Sequence, residues 1–227
     1  MNSSRFANVS PLGDRAFLIR FEDEDRARLW YLAARRRSFI GVDDLVLAYR
    51  SAAVYFNPDR VDPDALLIDL ESIDARAVHD HSAAAIVLPV LYDGVDLPFA
   101  AERLGLSIND VINEHASRVY HVFAIGFQPG FPYAGYLSER LAGIPRLESP
   151  RTRTPAGSVA VAGRQTGVYP NDSPGGWRIL GRTPLRIVDF DREFFPIRAG
   201  DSLRFRSIDR DEFERREGEL LDPHSNK

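Results

Sequence analysis

From Tyr120 onward the chain is a succession of short apolar segments cut by glycine and proline, and this pattern constrains the fold more than any other feature. The segments Tyr120 to Phe127, Ser158 to Ala162, Gly167 to Tyr169, Trp177 to Leu180, Leu185 to Val188 and Ser202 to Arg206 have the length and spacing of β-strands separated by turns. Such a series predicts a mainly-β barrel or sandwich. Two short helices precede it, over Pro98 to Leu104 and after Ser107, where Asp110 three residues on gives a capping-box start.

The residues before this region follow a different order. A turn at Pro11-Leu12-Gly13-Asp14 leads into a strand over Phe17 to Phe21, and Glu22 to Ser38 reads as a helix with acids in its first turn and Arg35 to Arg37 in its last. Strands over Leu45 to Tyr49 and Ala53 to Phe56 follow, and Pro63 then opens a second helix with Leu66, Leu67 and Leu70 on its apolar side. This order predicts an α+β domain with helices on one face of a sheet. The expected division is an N-terminal domain over residues 1–84, a barrel domain over 85–208, and a charged tail over 209–227 that is a solvated helix or frayed.

Composition excludes several chemistries. There is no cysteine, so thiolate nucleophiles, disulfides and cysteine-ligated metals are ruled out. The only lysine is Lys227, which removes a P-loop and an interior Schiff-base lysine. Arginine carries the remaining fixed positive charge, suited to holding carboxylate or phosphate with a paired fork but not to acting as a base. A net charge of -4 gives no electrostatic case for nucleic acid. No apolar run is long enough to span a membrane, so a cytoplasmic location is expected.

The densest unusual segment, Gly126 to Thr183, carries rigid loops rich in arginine and aromatic residues. Its strings GFQPGFPY, PRTRTPAGSVAVAG, QTGVYP and SPGGWRILGRTP occur in the order found in the family of 5-oxoprolinase B subunits, also called allophanate hydrolase subunit 1, and the chain resembles that family over roughly residues 8–208. The same region is similar to carboxyltransferase subdomain C and D of urea carboxylases and to a Bacillus-type inhibitor of a sporulation sensor kinase. The resemblance implies an N-terminal α+β domain followed by a cyclophilin-like barrel. It also implies a larger homologous subunit and a third subunit as partners, a lactam or amide as substrate, and ATP used by the complex as a whole. An inhibitor of a sensor histidine kinase and a subunit acting on urea or allophanate are the alternative roles. The latter needs a biotin carrier encoded elsewhere.

Within the motifs, Arg151 and Arg153 alternate along an extended segment and share a face, so they could clamp a carboxylate; the competing reading is loop bracing. His115, at a helix end, is the best-placed base, and these three residues form the expected catalytic set. Gln165, Tyr169 and Ser158 offer neutral donors and acceptors for an amide, or else satisfy loop backbone. Phe127, Phe131, Tyr133 and Trp177 make either an aromatic floor for substrate or part of the barrel core, and Arg182 and Thr183 follow a strand and a glycine toward the same rim. His121 reads as structural, and His79 and His81 as solvated linker residues without carboxylate support for a metal. No Ser-His-Asp arrangement is evident, so activity alone is not expected.

Overall fold

The computed structural model describes residues 6–75 and 85–223. The chain divides into two compact units, Met1–Ala83 and Ala84–Lys227.

In the first unit, strands β1 (Asn8–Pro11), β2 (Ala16–Arg20), β3 (Val42–Ala48) and β4 (Ser51–Phe56) form an antiparallel sheet in the order β1-β2-β4-β3. The β3–β4 connection is a tight turn in which Tyr49 takes a positive φ of 52°. Helix α1 (Glu24–Ala34) starts where the Asp23 side chain accepts from the Arg26 N–H, and α2 (Pro63–Glu71) where Asp62 accepts from Asp64 and Ala65. Ile19, Phe21, Trp30, Leu47, Val54, Phe56, Leu66 and Leu70 make the core, and Trp30 donates to the Leu70 carbonyl at 3.4 Å. The first helix is shorter than its sequence pattern predicts. After Ala34 the amides of Arg36 and Arg37 bond three residues back, to Ala33 and Ala34, so the turn tightens and the three arginines lie past the helix end.

The second unit is a nearly closed barrel. Strands β5 (Ile86–Val90), β6 (Val119–Ile125), β7 (Pro132–Gly135), β9 (Ser158–Ala162), β10 (Gln165–Val168), β12 (Arg178–Arg182) and β13 (Ser202–Ser207) form a seven-stranded sheet in the order β12-β9-β10-β7-β6-β13-β5. The β5–β13 pair is parallel and the others are antiparallel. The two edges meet through one bridge, in which Leu91 and Arg182 exchange N–H···O bonds of 2.9 Å in both directions. This contact needs backbones to touch. A Cβ on Gly181 would collide with the Leu91 carbonyl, and one on Gly94 with the Ile179 carbonyl.

Inside the barrel, Leu88, Val90, Val122, Ala134, Val159, Val161, Val168, Leu180, Leu203 and Phe205 share one core with Leu97, Ala100 and Ala101 of α3 (Leu97–Leu104) and Val111 of α4 (Ile108–Ala116). The Ser107–Asp110 capping box at the start of α4 is formed in full. A separate two-stranded ribbon joins β8 (Arg151–Thr154) to β11 (Ser173–Gly175).

Two expectations change. Leu185 to Val188 is not a ladder strand: Leu185 and Ile187 alternate into the core, but only Arg186 pairs, in an isolated bridge to Leu220. Of the two readings of the segment after 208, the helix is found over Arg210–Arg216 (α5), but it is docked rather than solvated: it buries Phe213, and Leu221 packs on the barrel core. β1, β7 and β11 escape the sequence pattern because each has only three or four residues with proline among them.

Gly181→Ala is expected to lower stability by about 2 kcal/mol or more, since overpacked sites cost roughly that much and this one must also break the closing bridge. Gly105→Ala, at an open helix end with a φ of 65°, is expected to cost about 1 kcal/mol. Urea unfolding midpoints of both variants check the order.

Candidate functional site

The residues singled out by the sequence fall into three places in the second unit. His115 points into the barrel. It is 0 % exposed, stacks on Phe205 at 4.5 Å between centroids, and lies beside Tyr120 at 5.5 Å. Its Nε2 lies 2.8 Å from the Thr166 hydroxyl and its Nδ1 2.7 Å from the Tyr92 hydroxyl. The Thr166 hydroxyl donates to the Ala160 carbonyl, so it accepts from Nε2–H, which assigns the proton to Nε2 and leaves Nδ1 to accept from Tyr92. Burial lowers the His115 pKa to about 3, so the ring stays neutral around neutral pH. The same burial raises the pKa values of Tyr92 and Tyr120. A sealed ring cannot reach a substrate proton, so His115 is not carried forward as a base.

The second place is the β8–β11 ribbon and the aromatic cluster beside it. Phe131, Tyr169, Trp177 and Ile179 pack with Ala160 and Ala162 on the face of β9 opposite Val159 and Val161. The aromatics are therefore neither barrel interior nor an open floor; they form a second buried cluster. Tyr169 has its pKa raised by burial, while the Trp177 N–H donates to its phenol oxygen. Phe127 crowns this cluster at 61 % exposure and touches Phe131 and Tyr169 edge-on. Its φ of 66° closes a three-residue turn in which Gln128 N–H donates to the Gly126 carbonyl.

The two ribbon arginines do not form one clamp, because each is met by its own carboxylate. Nη2 of Arg151 donates to both oxygens of buried Asp96 at 2.8 and 2.9 Å, and Nη1 donates to the Trp177 carbonyl. Arg153 is 75 % exposed in its side chain and pairs with Asp172 at 2.6 Å. The Ala156 N–H and then Arg153 hold the Asp172 carboxyl below its ordinary pKa.

The third place is a cleft of about 760 Å³ lined by Asp93, Gly94, Ser158, Arg182, Thr183 and neighbouring residues. Ser158 and Arg182 are cross-strand partners on β9 and β12, so their side chains share a face. Arg182 forks onto Asp93 and lies 4.4 Å over the Phe213 ring. The Thr183 hydroxyl accepts from the Leu185 N–H. Gln165 joins neither group: it sits at the β9–β10 turn, opposite Gly135, about 13 Å along the strand from Tyr169. Sequence reasoning missed Asp96 and Asp93. Both are carboxylates outside the arginine motifs, and only the folded chain brings them to those arginines.

The chain as a whole is similar to known proteins. The profile of the carboxyltransferase domain, subdomain C and D, matches residues 7–196. The 5-oxoprolinase B subunit of Escherichia coli O157:H7 is 36% identical over 203 residues, covering 86% of this chain and 93% of that protein. The chain belongs to the family of 5-oxoprolinase B subunits. Its relative of the same name in Bacillus subtilis is also 36% identical, over 220 residues, with 87% and 91% of the two chains covered. Among solved structures, TTHA0988 superposes with a TM-score of 0.77 at 38% identity, covering 86% of this chain and 40% of that one. The family member described here thus spans well under two thirds of TTHA0988 but nearly all of the two bacterial B subunits.

His121, half-buried on β6, lies 3.1 Å from the Ser202 hydroxyl across the β6–β13 ladder. His79 and His81 lie outside the described residues. Among the described residues, no group of three or more His, Cys, Asp or Glu could hold a metal ion, and no helix is long and apolar enough to cross a membrane.

The buried histidine predicts a pH dependence with a definite sign. The unfolded ring titrates near 6.5 and the folded one near 3, so between those values only the unfolded chain takes up the proton. Stability from this group is complete above about pH 6.5 and falls by about 1.4 kcal/mol per pH unit below it, until the folded pKa is reached. From pH 7 to pH 5 the wild type is expected to lose about 2 kcal/mol more than His115→Gln in urea unfolding. Equal losses in the two proteins would place the proton elsewhere.

Proposed function

We propose that this chain is one subunit of an ATP-dependent 5-oxoprolinase, which opens 5-oxo-L-proline to L-glutamate in complex with a larger homologous subunit and a third subunit. The observation that carries the proposal is the end-to-end likeness to bacterial B subunits: identity of 36% extends across 93% of the Escherichia coli protein. The ribbon, Arg151–Thr154 with Ser173–Gly175, falls within residues 7–196, the span matched by the carboxyltransferase domain profile.

The site geometry supports a shared rather than an autonomous activity. The imidazole of His115 is sealed, no cysteine is available, and the only lysine is Lys227. In the net reaction one water breaks the lactam C–N bond, its oxygen ending in the new carboxylate and both its protons on the nitrogen, which becomes the ammonium group. A second water is consumed as ATP becomes ADP and phosphate. Arg153, exposed and restrained only by Asp172, is the arginine we assign to the negative charge that develops on the carbonyl oxygen. Arg151 instead holds the ribbon to Asp96.

The test is ATP-dependent release of glutamate by the co-expressed subunits, with each omitted in turn. Activity is expected to require this chain. Arg153→Ala is expected to lower kcat about a hundredfold, while stability changes by less than about 1 kcal/mol because the ion pair is exposed. Full activity without this chain would overturn the proposal.

A further inference from the structure

We infer that the cleft beside β9 and β12 is an anion subsite, in which the Ser158 hydroxyl and the Arg182 guanidinium take the carboxylate of the substrate. The inference rests on the 5-oxoprolinase reading above and specifies where on this chain the substrate is held.

Ser158 is 3 % exposed and lines the cleft. Its backbone is used by the fold: its N–H donates to the Pro155 carbonyl, and its carbonyl accepts from the Tyr169 N–H. Among the described residues its hydroxyl has no hydrogen-bond partner. The buried, unpartnered hydroxyls among the described residues are those of Ser138 and Thr154, so the Ser158 oxygen opens to the cleft, where it is free to donate to a ligand oxygen. Thr183, on the same wall, uses its hydroxyl oxygen as acceptor for Leu185 N–H, which leaves its proton available as a donor.

The charge near Ser158 selects the sign of the ligand. Asp93 is shared by Arg182 at 3.0 Å and Arg210 at 3.6 Å, so two guanidinium groups face one carboxylate and one positive charge is left over. Arg182 cannot swing away freely, since its guanidinium lies against the Phe213 ring and forks onto Asp93. Asp189, Asp191 and Glu217 also line the cleft, Asp189 being paired with Arg186 and Arg192. Two hydroxyl donors beside a spare arginine charge match a monocarboxylate. The cleft volume of about 760 Å³ is within the range of small-molecule sites and exceeds what a single lactam fills.

The decisive measurement is steady-state kinetics of the complete reconstituted enzyme with Ser158→Ala and Arg182→Gln. Ser158→Ala is expected to raise KM for 5-oxo-L-proline about tenfold with kcat little changed, the loss of one hydrogen bond to a charged group. It should leave the thermal midpoint unchanged or raise it, because the hydroxyl has no partner to lose. A serine with a purely structural role would give the reverse pattern, a lowered midpoint and an unchanged KM. Arg182→Gln should raise KM further and abolish the preference for 5-oxo-L-proline over its uncharged amide, 5-oxo-L-prolinamide, read as competitive inhibition.

An active wild-type complex with a normal KM for Ser158→Ala would overturn the subsite and leave the subunit assignment intact. A complete but inactive wild-type set would instead remove the 5-oxoprolinase reading. The cleft is then judged by titrating the ¹⁵N-labelled full chain with 5-oxo-L-proline and 5-oxo-L-prolinamide. Shifts of the Gly157, Ser158 and Thr183 amides with the acid alone support an anion subsite, and no shift, or equal shifts with both, overturns it.

Discussion

A buried carboxylate organises the second unit. Asp96 is almost fully enclosed, and an ion there costs several kcal/mol unless donors surround it. Arg151 meets both carboxylate oxygens from its Nη2, Arg178 adds a contact at 3.4 Å, and the Ile179 N–H a bond of 2.7 Å. The backbone of Asp96 also serves, donating to the Ile179 carbonyl and accepting from Ala100 to begin α3. One residue therefore fastens a helix start, the ribbon and the edge strand β12. Arginine suits this task because its planar guanidinium reaches the carboxylate with one nitrogen and the Trp177 carbonyl with another while its stem packs on neighbours. Arg178 shows the second part, lying 3.8 Å over Phe99 and donating to the Pro145 carbonyl.

Barrel closure and the cleft depend on the same backbone approach. Gly94 and Gly181 have no Cβ, so the chain after β5 can lie against the end of β12 and form the Leu91–Arg182 bridge. That bridge carries Asp93 to within 3.0 Å of the Arg182 guanidinium and so builds the charged corner of the cleft. A side chain at either glycine would separate the strands and disperse the corner with them. Fold and candidate site are coupled here through two absent methyl groups.

The sequence made the order of elements legible because much of the pattern is local. The Ser107–Asp110 capping box, the Pro63 helix start and the apolar alternation of Ser158 to Ala162 all act within a few residues. What it hid depends on distant partners. Arg151 and Arg153 alternate as a clamp should, yet Asp96 lies 55 residues away from the first and Asp172 claims the second. His115 has the helix-end position of a titrating histidine, but Thr166, 51 residues on, completes the sealed pocket that keeps it neutral. Leu185 and Ile187 alternate as in a strand because they fill the core, while the backbone between them pairs at one point only.

A motif rich in arginine, glycine and aromatic residues invites a catalytic reading, but most of its members have structural employment. The glycines admit backbone contact, Arg151 and Arg178 neutralise Asp96, and Phe131, Tyr169 and Trp177 form a buried cluster. The residues that carry functional weight are those whose polar groups the fold leaves unused or exposed. By that criterion Arg153 stands out on the ribbon and Ser158 in the cleft. Ser158 is the sharper case, because its hydroxyl opens to the cleft and no hydrogen bond of the fold employs it among the described residues. Its backbone bonds to Pro155 and Tyr169 hold that hydroxyl in place on the cleft wall, ready to donate to whatever enters the cleft.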